Sequence, residues 1–299
     1  MPLPVVQFFA YLLGRLPLSA NQSVGALLGQ LAWLLRTRER CITEVNLQLC
    51  FPKMPAEERQ ILARNSLIET GKQFTECAWI WHQPRARLNK LIKESPGHHL
   101  LDEATRASRG LIVVSPHIGN WELCSLPVSQ HVEFTYFYRK PRNASLAPLL
   151  IRWRARLGGQ AASLDTGGIR KGLRILKQGG ALGILPDQEP DRDNGLFSRF
   201  FDQPALTMTL LPKLAQRSGA RVLLCVSERL PRARGWRVHY LEADPNLTHS
   251  DMDIALAAVN RDVERCIALC PEQYLWDYRR FQSLPDGRKR NYRISTPRP

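Results

Sequence analysis

From residue 110 onward, short apolar runs alternate with longer segments whose apolar residues recur every three or four positions. That alternation points to an α/β sheet covered by helices. The first run, Leu111-Ile112-Val113-Val114, is apolar at every position, which suits a buried strand. Further strands are expected at 134–138, 161–164, 181–185, 221–229 and 236–241, the last two as a hairpin. Helices are expected at 121–130, 144–157, 169–177, 207–217 and 251–269, with a polar loop running up to residue 201. Helical patterning at 38–49, 56–81 and 98–107 precedes this region. No repeat or long linker divides the chain.

Ligands of open α/β sheets bind beyond the carboxyl ends of the strands. Three of those ends carry polar groups here: His117, then Tyr138-Arg139-Lys140-Pro141, then Pro186-Asp187-Gln188. His117 stands between the first strand and the helix expected to follow, with Gly119 or Asn120 as its N-cap. Glu122 falls in the first turn of that helix. From there a carboxylate can reach one ring nitrogen of His117 and leave the other free, as in a histidine base held in one tautomer. A surface His beside an unrelated Glu has the same spacing, but the position between strand and helix favours the base. Arg139 and Lys140 either clamp a phosphate or oxyanion, or form an exposed pair in a loop. Asp187 either orients Arg139, lines a polar pocket, or is a turn residue after Pro186. Arg152, Arg154 and Arg156 are spaced by two, so a helix splays them and one or two can face a site. Arg170, with Lys171 and Arg174, is either part of a basic rim or of a solvated face. Arg156, Arg170, Asp187 and Gln188 are carried forward as site-lining residues.

Composition narrows the partners. Lys and Arg number 42 against 27 Asp and Glu, a net charge of +15, which favours an anionic partner: a phospholipid surface, nucleic acid or an acidic protein. The seven cysteines are scattered and form no Cys-x-x-Cys pair, so they read as reduced, mostly buried thiols. There is no His-Glu-x-x-His and no paired Cys/His set, so no metal is expected. His98 and His99 read as solvated. Gly167-Gly168-Ile169-Arg170-Lys171-Gly172 lacks the spacing of a phosphate-binding loop, and no Gly-x-Ser-x-Gly elbow offers a serine nucleophile.

The N-terminus is apolar but interrupted. Residues 5–13 and 24–35 are greasy, each shorter than the roughly 20 residues of a spanning helix. Arg15 and Pro17 break them, and Arg36, Arg38 and Arg40 follow. No basic leader with a small-residue cleavage site is present. The expectation is a pair of membrane-docking helices with a basic flank, helped by Phe8, Phe9, Tyr11 and Trp33. Two helices packed on the globular domain are the other reading. The organisation expected is docking helices at 1–37, a catalytic domain at 38–284 and a basic flexible tail at 285–299.

Five ordered blocks resemble the bacterial lipid A biosynthesis acyltransferases, the lauroyl and myristoyl transferases. His117-Ile118-Gly119-Asn120-Trp121-Glu122 resembles their His-x4-Asp/Glu box. Tyr138-Arg139-Lys140-Pro141 resembles the block after the second core strand. Leu176-Lys177-Gln178-Gly179 and Ile184-Leu185-Pro186-Asp187-Gln188 resemble the Lys-x-Gly…Pro-Asp-Gln block. Phe200-Phe201-Asp202-Gln203-Pro204-Ala205-Leu206-Thr207 is similar to Phe-Phe-Gly-x-Pro-Ala-x-Thr, with Asp202 in place of the usual Gly. Pro271-Glu272-Gln273-Tyr274-Leu275-Trp276 with Arg279-Arg280-Phe281 resembles the closing block.

The resemblance implies a glycerol-phosphate-acyltransferase-like mixed sheet covered by helices. It implies transfer of a fatty acyl chain from acyl carrier protein to a hydroxyl of a Kdo-bearing lipid A precursor, at the cytoplasmic face of the inner membrane. No cofactor is implied beyond the carrier-protein thioester. In this reading His117 takes the proton of the acceptor hydroxyl and Glu122 holds the imidazole. Arg139, with Lys140 and helix N–H groups near Asn120, binds the oxyanion or a phosphate. The partners expected are acyl carrier protein, an anionic glycolipid and the membrane surface, and no nucleic acid. A lysophospholipid acyltransferase uses a similar box, but Glu122 and the closing block weigh against it. Outside enzymes, a basic nucleic-acid-binding protein or a membrane scaffold would share the charge. No helix-turn-helix, RNA-binding sheet or zinc module supports the former.

Overall fold

A computed structural model describes residues 3–138 and 146–292. Four helices lead: α1 (Leu3–Arg15), α2 (Leu18–Leu34), α3 (Arg38–Cys50) and α4 (Ala56–His82). Helix α4 is the spine of this layer, with α1, α2 and α3 laid along it. Helices α2 and α4 meet backbone to backbone: a Cβ added at Gly25, Gly29 or Gly71 would overlap main-chain atoms of the opposing helix. The first two helices do not bury their outer faces. Phe8, Phe9, Tyr11, Leu12, Leu27, Leu28, Leu31, Leu34 and Leu35 all stay exposed. Among the described residues, no helix is long and apolar enough to cross a membrane.

A short helix α5 (Arg85–Leu91) leads into β1 (Ile92–Glu94), and α6 (His98–Arg106) precedes β2 (Leu111–Val114). Then come a 3-10 turn at Trp121–Cys124, α7 (Ser125–Val128), β3 (Phe134–Tyr138), α8 (Ala147–Ala155), β4 (Gly159–Ser163), α9 (Thr166–Lys177) and β5 (Ala181–Ile184). The chain continues through β6 (Gly195–Phe200), β7 (Gln203–Met208), α10 (Leu210–Ser218), β8 (Arg221–Arg229), β9 (Trp236–Glu242) and α11 (Met252–Leu269).

Among the described residues the principal sheet has seven strands in the order β1-β9-β8-β2-β5-β3-β4. It is parallel throughout except where β8 and β9 pair antiparallel, the expected hairpin. Strand β2 lies at the centre and is buried on both faces. Ile112 and Val114 join the core on one side, Leu111 and Val113 the core on the other. The continuous apolar pattern of this strand follows from its place in a covered parallel sheet.

The structure departs from the sequence expectations in four places. The helix expected at 121–130 is a 3-10 turn followed by the single turn of α7. The polar loop and the start of the 207–217 helix are a separate antiparallel pair, β6 and β7. Its two-residue turn, Phe201 and Asp202, has φ of 47° and 61°. Asp tolerates that left-handed conformation better than most residues, which is how it can stand where the family pattern leads one to expect Gly. Helix α5 and strand β1 lie where no element is expected. Finally, residues 285–292, expected as part of a flexible tail, fold back on the domain. Tyr292 is buried, its hydroxyl donates to Asn46 Oδ1 at 3.0 Å, and it accepts from the Phe281 N–H at 2.9 Å.

Candidate active site

Strands β2 and β5 are neighbours in register, with Val114 opposite Ile184. The Ser115 N–H extends the pairing by donating to the Ile184 carbonyl at 3.0 Å. Three residues beyond those two strand ends stand His117 and Asp187, so the sheet itself brings them together. Asp187 Oδ1 lies 2.8 Å from His117 Nδ1, and Oδ2 accepts the His117 backbone N–H at 3.0 Å. A carboxylate only accepts, so Nδ1 carries the proton, and in the neutral imidazole Nε2 presents its lone pair. The Gln188 amide nitrogen stands 3.3 Å from Nε2. The Trp121 ring meets the imidazole edge-on at 4.7 Å. Asp187 is almost wholly buried. Burial pushes its carboxyl up, but the His117 charge and the hydrogen bonds from its ring and backbone outweigh burial and hold it below the ordinary carboxylate range.

The loop carrying His117 is pinned on its other side by β8 and by the segment after α11. Gly119 N–H donates to the Gln273 carbonyl, Asn120 N–H to that of Ser227, and Leu275 N–H to that of His117 itself, at 2.9–3.0 Å. Gly119 has φ of 55°, and a Cβ there would overlap the Ser227 carbonyl oxygen, so glycine is required. The closing Pro-Glu-Gln-Tyr block thus acts as a clamp on the histidine loop.

Glu122 takes a different partner from the one its spacing predicts. It sits in the 3-10 turn, and its carboxylate receives Arg154 of α8, whose Nε lies 2.9 Å from both oxygens. Trp81 Nε1 of α4 donates to Oε2 at 3.3 Å. Burial pulls the Arg154 guanidinium down, but Glu122 beside it outweighs this and holds it well above its ordinary value. The helix expected after His117 would turn Glu122 back along its own axis, whereas the 3-10 turn aims it across the cavity, and Asp187 already occupies the ring nitrogen.

His117, Gln188, Glu122 and Arg154 line one cavity of about 610 Å³, within the range of small-molecule sites. Its far wall is apolar: Val113, Phe134, Phe137, Ile169, Leu173, Ile184 and Met208. Tyr136 also lines it, and burial pushes its phenol up to about 12, so it stays a neutral hydroxyl at physiological pH.

The other expected site residues fall elsewhere. Asn120 is fully buried and turned away from the cavity, its amide donating to Glu76. It offers nothing to an oxyanion. Arg156 and Arg170 are exposed and are not in the cavity wall. Of the arginines spaced by two, the helix turns Arg154 inward instead. Arg139 and Lys140 lie outside the described residues. His98, expected to be solvated, comes together with Asp102 and His131, their ligand atoms within 4.8 Å of one another. None of the three lines the cavity. The sequence reading missed Arg154 as the partner of Glu122 and Asp187 as that of His117. The signal for Asp187 was present: both residues stand three positions past a strand.

A histidine with one nitrogen held by a buried carboxylate and the other at the wall of a cavity that combines apolar and charged surface is the equipment of a general base acting on an amphipathic substrate. Residues 5–283 match the model of the bacterial lipid A biosynthesis acyltransferases, and the chain belongs to that family and is an acyltransferase. It is 28% identical over 278 residues to the lipid A biosynthesis lauroyltransferase of Escherichia coli K12, covering 93% of this chain and 90% of that one. To the palmitoleoyltransferase of the same strain it is 29% identical over 281 residues, covering 93% and 90%. To the myristoyltransferase of that strain it is 21% identical over 271 residues, covering 90% and 83%.

Proposed function

We propose that the enzyme moves a fatty acyl chain from an acyl carrier protein thioester to a hydroxyl of a Kdo-bearing lipid A precursor. His117 Nε2 takes the hydroxyl proton as that oxygen attacks the thioester carbonyl. Asp187 holds the ring in the competent tautomer and stabilises the imidazolium that forms, as the buried carboxylate does in a Ser-His-Asp triad. The acyl chain lies along the apolar wall of the cavity. Gln188, beside Nε2, is the amide best placed to meet the acceptor hydroxyl or the oxyanion. Arg139, just beyond β3, is assigned to the oxyanion by the family resemblance. The Glu122–Arg154 pair supplies a fixed dipole on the cavity wall and orients the acceptor. Collapse of the intermediate expels the carrier thiolate, which takes up the proton from His117. No acyl-enzyme is needed.

The observation that carries this reading is the contact of His117 Nδ1 with Asp187 at 2.8 Å, at the wall of a cavity that also carries an apolar stretch from Val113 to Met208. The working place is the cytoplasmic face of the inner membrane. The exposed apolar faces of α1 and α2 and the charge of +15 support it, since they suit an anionic lipid surface and an acidic carrier protein. The test is to incubate the purified protein with a panel of acyl-carrier-protein thioesters and a Kdo-bearing lipid A precursor, and to follow product mass. The reading expects a gain of one acyl chain. Turnover on lysophospholipid with none on the glycolipid would move the enzyme to that other acceptor class.

A further inference from the structure

Glu76 lies in the last third of α4, is fully buried, and does not line the cavity. Its two oxygens nonetheless draw in three other parts of the chain. Gln22 of α2 donates its amide to Oε1 at 2.7 Å. Arg229, the last residue of β8, donates Nε to Oε1 at 2.6 Å and Nη2 to Oε2 at 2.7 Å. Asn120 donates Nδ2 to Oε2 at 3.0 Å. Around this hub the charges balance: Arg229 also meets Glu69 at 2.6 Å, and Glu69 meets Lys72 at 2.5 Å. A buried carboxylate is tolerated when it is paired and hydrogen-bonded in this way.

Asn120 is the informative member. It stands three residues beyond His117, in the loop whose backbone is clamped by Ser227 and Gln273. Its side-chain carbonyl has no partner among the described residues, so the bond to Glu76 is the one that fixes its amide. A buried asparagine left half-satisfied in a catalytic loop is costly as a packing choice. It makes sense as a device that sets where the loop sits relative to α4.

We propose that Glu76 is a positioning residue for acyl transfer: through Asn120 it fixes the loop that carries His117, and so the approach of Nε2 to the acceptor hydroxyl. This rests on His117 being the base. Loss of the bond lets the loop shift by a fraction of an ångström, and displacements of about 1 Å cost on the order of 100-fold in rate. The effect falls on turnover and not on binding, because neither Glu76 nor Asn120 touches the cavity.

The experiment is a double-mutant cycle in kcat, with Asn120→Ala, Glu76→Gln and the two together, beside His117→Ala. The substrates are a carrier-protein thioester and the lipid A precursor, and folding is checked by thermal unfolding. Each single variant is expected to lose about 10- to 100-fold in kcat with KM for the thioester within about threefold. The double variant is expected to be no slower than the slower single, because Asn120 acts through its bond to Glu76, which either change removes. Additive losses, or kcat within twofold of the parent in the folded Asn120→Ala protein, would overturn the proposal. If Glu76→Gln does not fold, Asn120→Ala alone decides by the same kcat and KM criteria. Activity surviving in His117→Ala would instead remove the reading on which the proposal stands.

Discussion

Two carboxylates near the histidine loop have separate employments. Asp187 faces the ring, while Glu122 faces Arg154. The substitution Asp187→Asn separates these roles. An amide in that place can accept from the His117 backbone N–H only by turning its own NH2 toward Nδ1. That selects the tautomer with the proton on Nε2, which cannot act as a base. We expect kcat to fall by about 10²–10⁴ with KM for the thioester little changed, measured in the acyl-transfer assay. The stability effect has a defined sign. The folded carboxyl of Asp187 lies below its ordinary value. Its contribution is therefore fully present above the unfolded value of about 3.9 and is lost as pH falls through the folded one. Urea unfolding of the parent and Asp187→Asn should differ above about pH 5 and converge only below about pH 4. A gap that closes between pH 8 and 6 would contradict this. At this scale the sequence supplied the histidine and both carboxylates. It could not say which carboxylate met the ring, because that depends on β2 and β5 being neighbours and on a 3-10 turn in place of a helix.

At the scale of elements, patterning located what packing enforces. Strand β3 falls at its expected residues, and β2, β5, β8 and β9 within a residue or so, because their apolar runs are buried on the covered sheet. The pair β6 and β7 escaped because its burial is partial and its turn is Phe201-Asp202, without the glycine that signals a tight hairpin. Strand β1 is three residues long and mostly exposed, too short to show a period. The contact of α2 with α4 was also invisible, since it is made of glycines and gives no apolar stripe. It is nevertheless the tightest joint of the N-terminal layer. Gly29→Val would drive its side chain into the Leu67 carbonyl and the Ile68 backbone. We expect a loss of about 1–3 kcal/mol, read as a fall in Tm of several degrees by calorimetry. An unchanged Tm would show that the two helices can part without cost.

For the whole molecule, the apolar face of α1 and α2 and the excess of positive charge would both favour an anionic lipid surface. Eleven of the seventeen large hydrophobic side chains exposed among the described residues lie in residues 5–35, a concentration that marks a contact surface. If that surface seats the enzyme on an anionic bilayer, Phe9→Asp with Leu28→Asp should lower partition onto anionic vesicles at least about tenfold. Binding should also weaken with salt. Tm should not change, since both side chains are exposed. Equal partition of the variant and the parent would contradict the docking. The mixed α/β fold class was legible at this scale from the alternation of strands and helices. The strand order that joins His117 to Asp187 was not, because non-local pairing leaves no local mark in a sequence.

The central claim is that His117 is the base for acyl transfer. The most direct measurement is the single-turnover rate of His117→Ala against the parent, with carrier-protein thioester and lipid A precursor at saturation and product followed by mass. A loss of about 10³-fold or more is expected, in a protein with unchanged Tm. A rate within tenfold of the parent would contradict it.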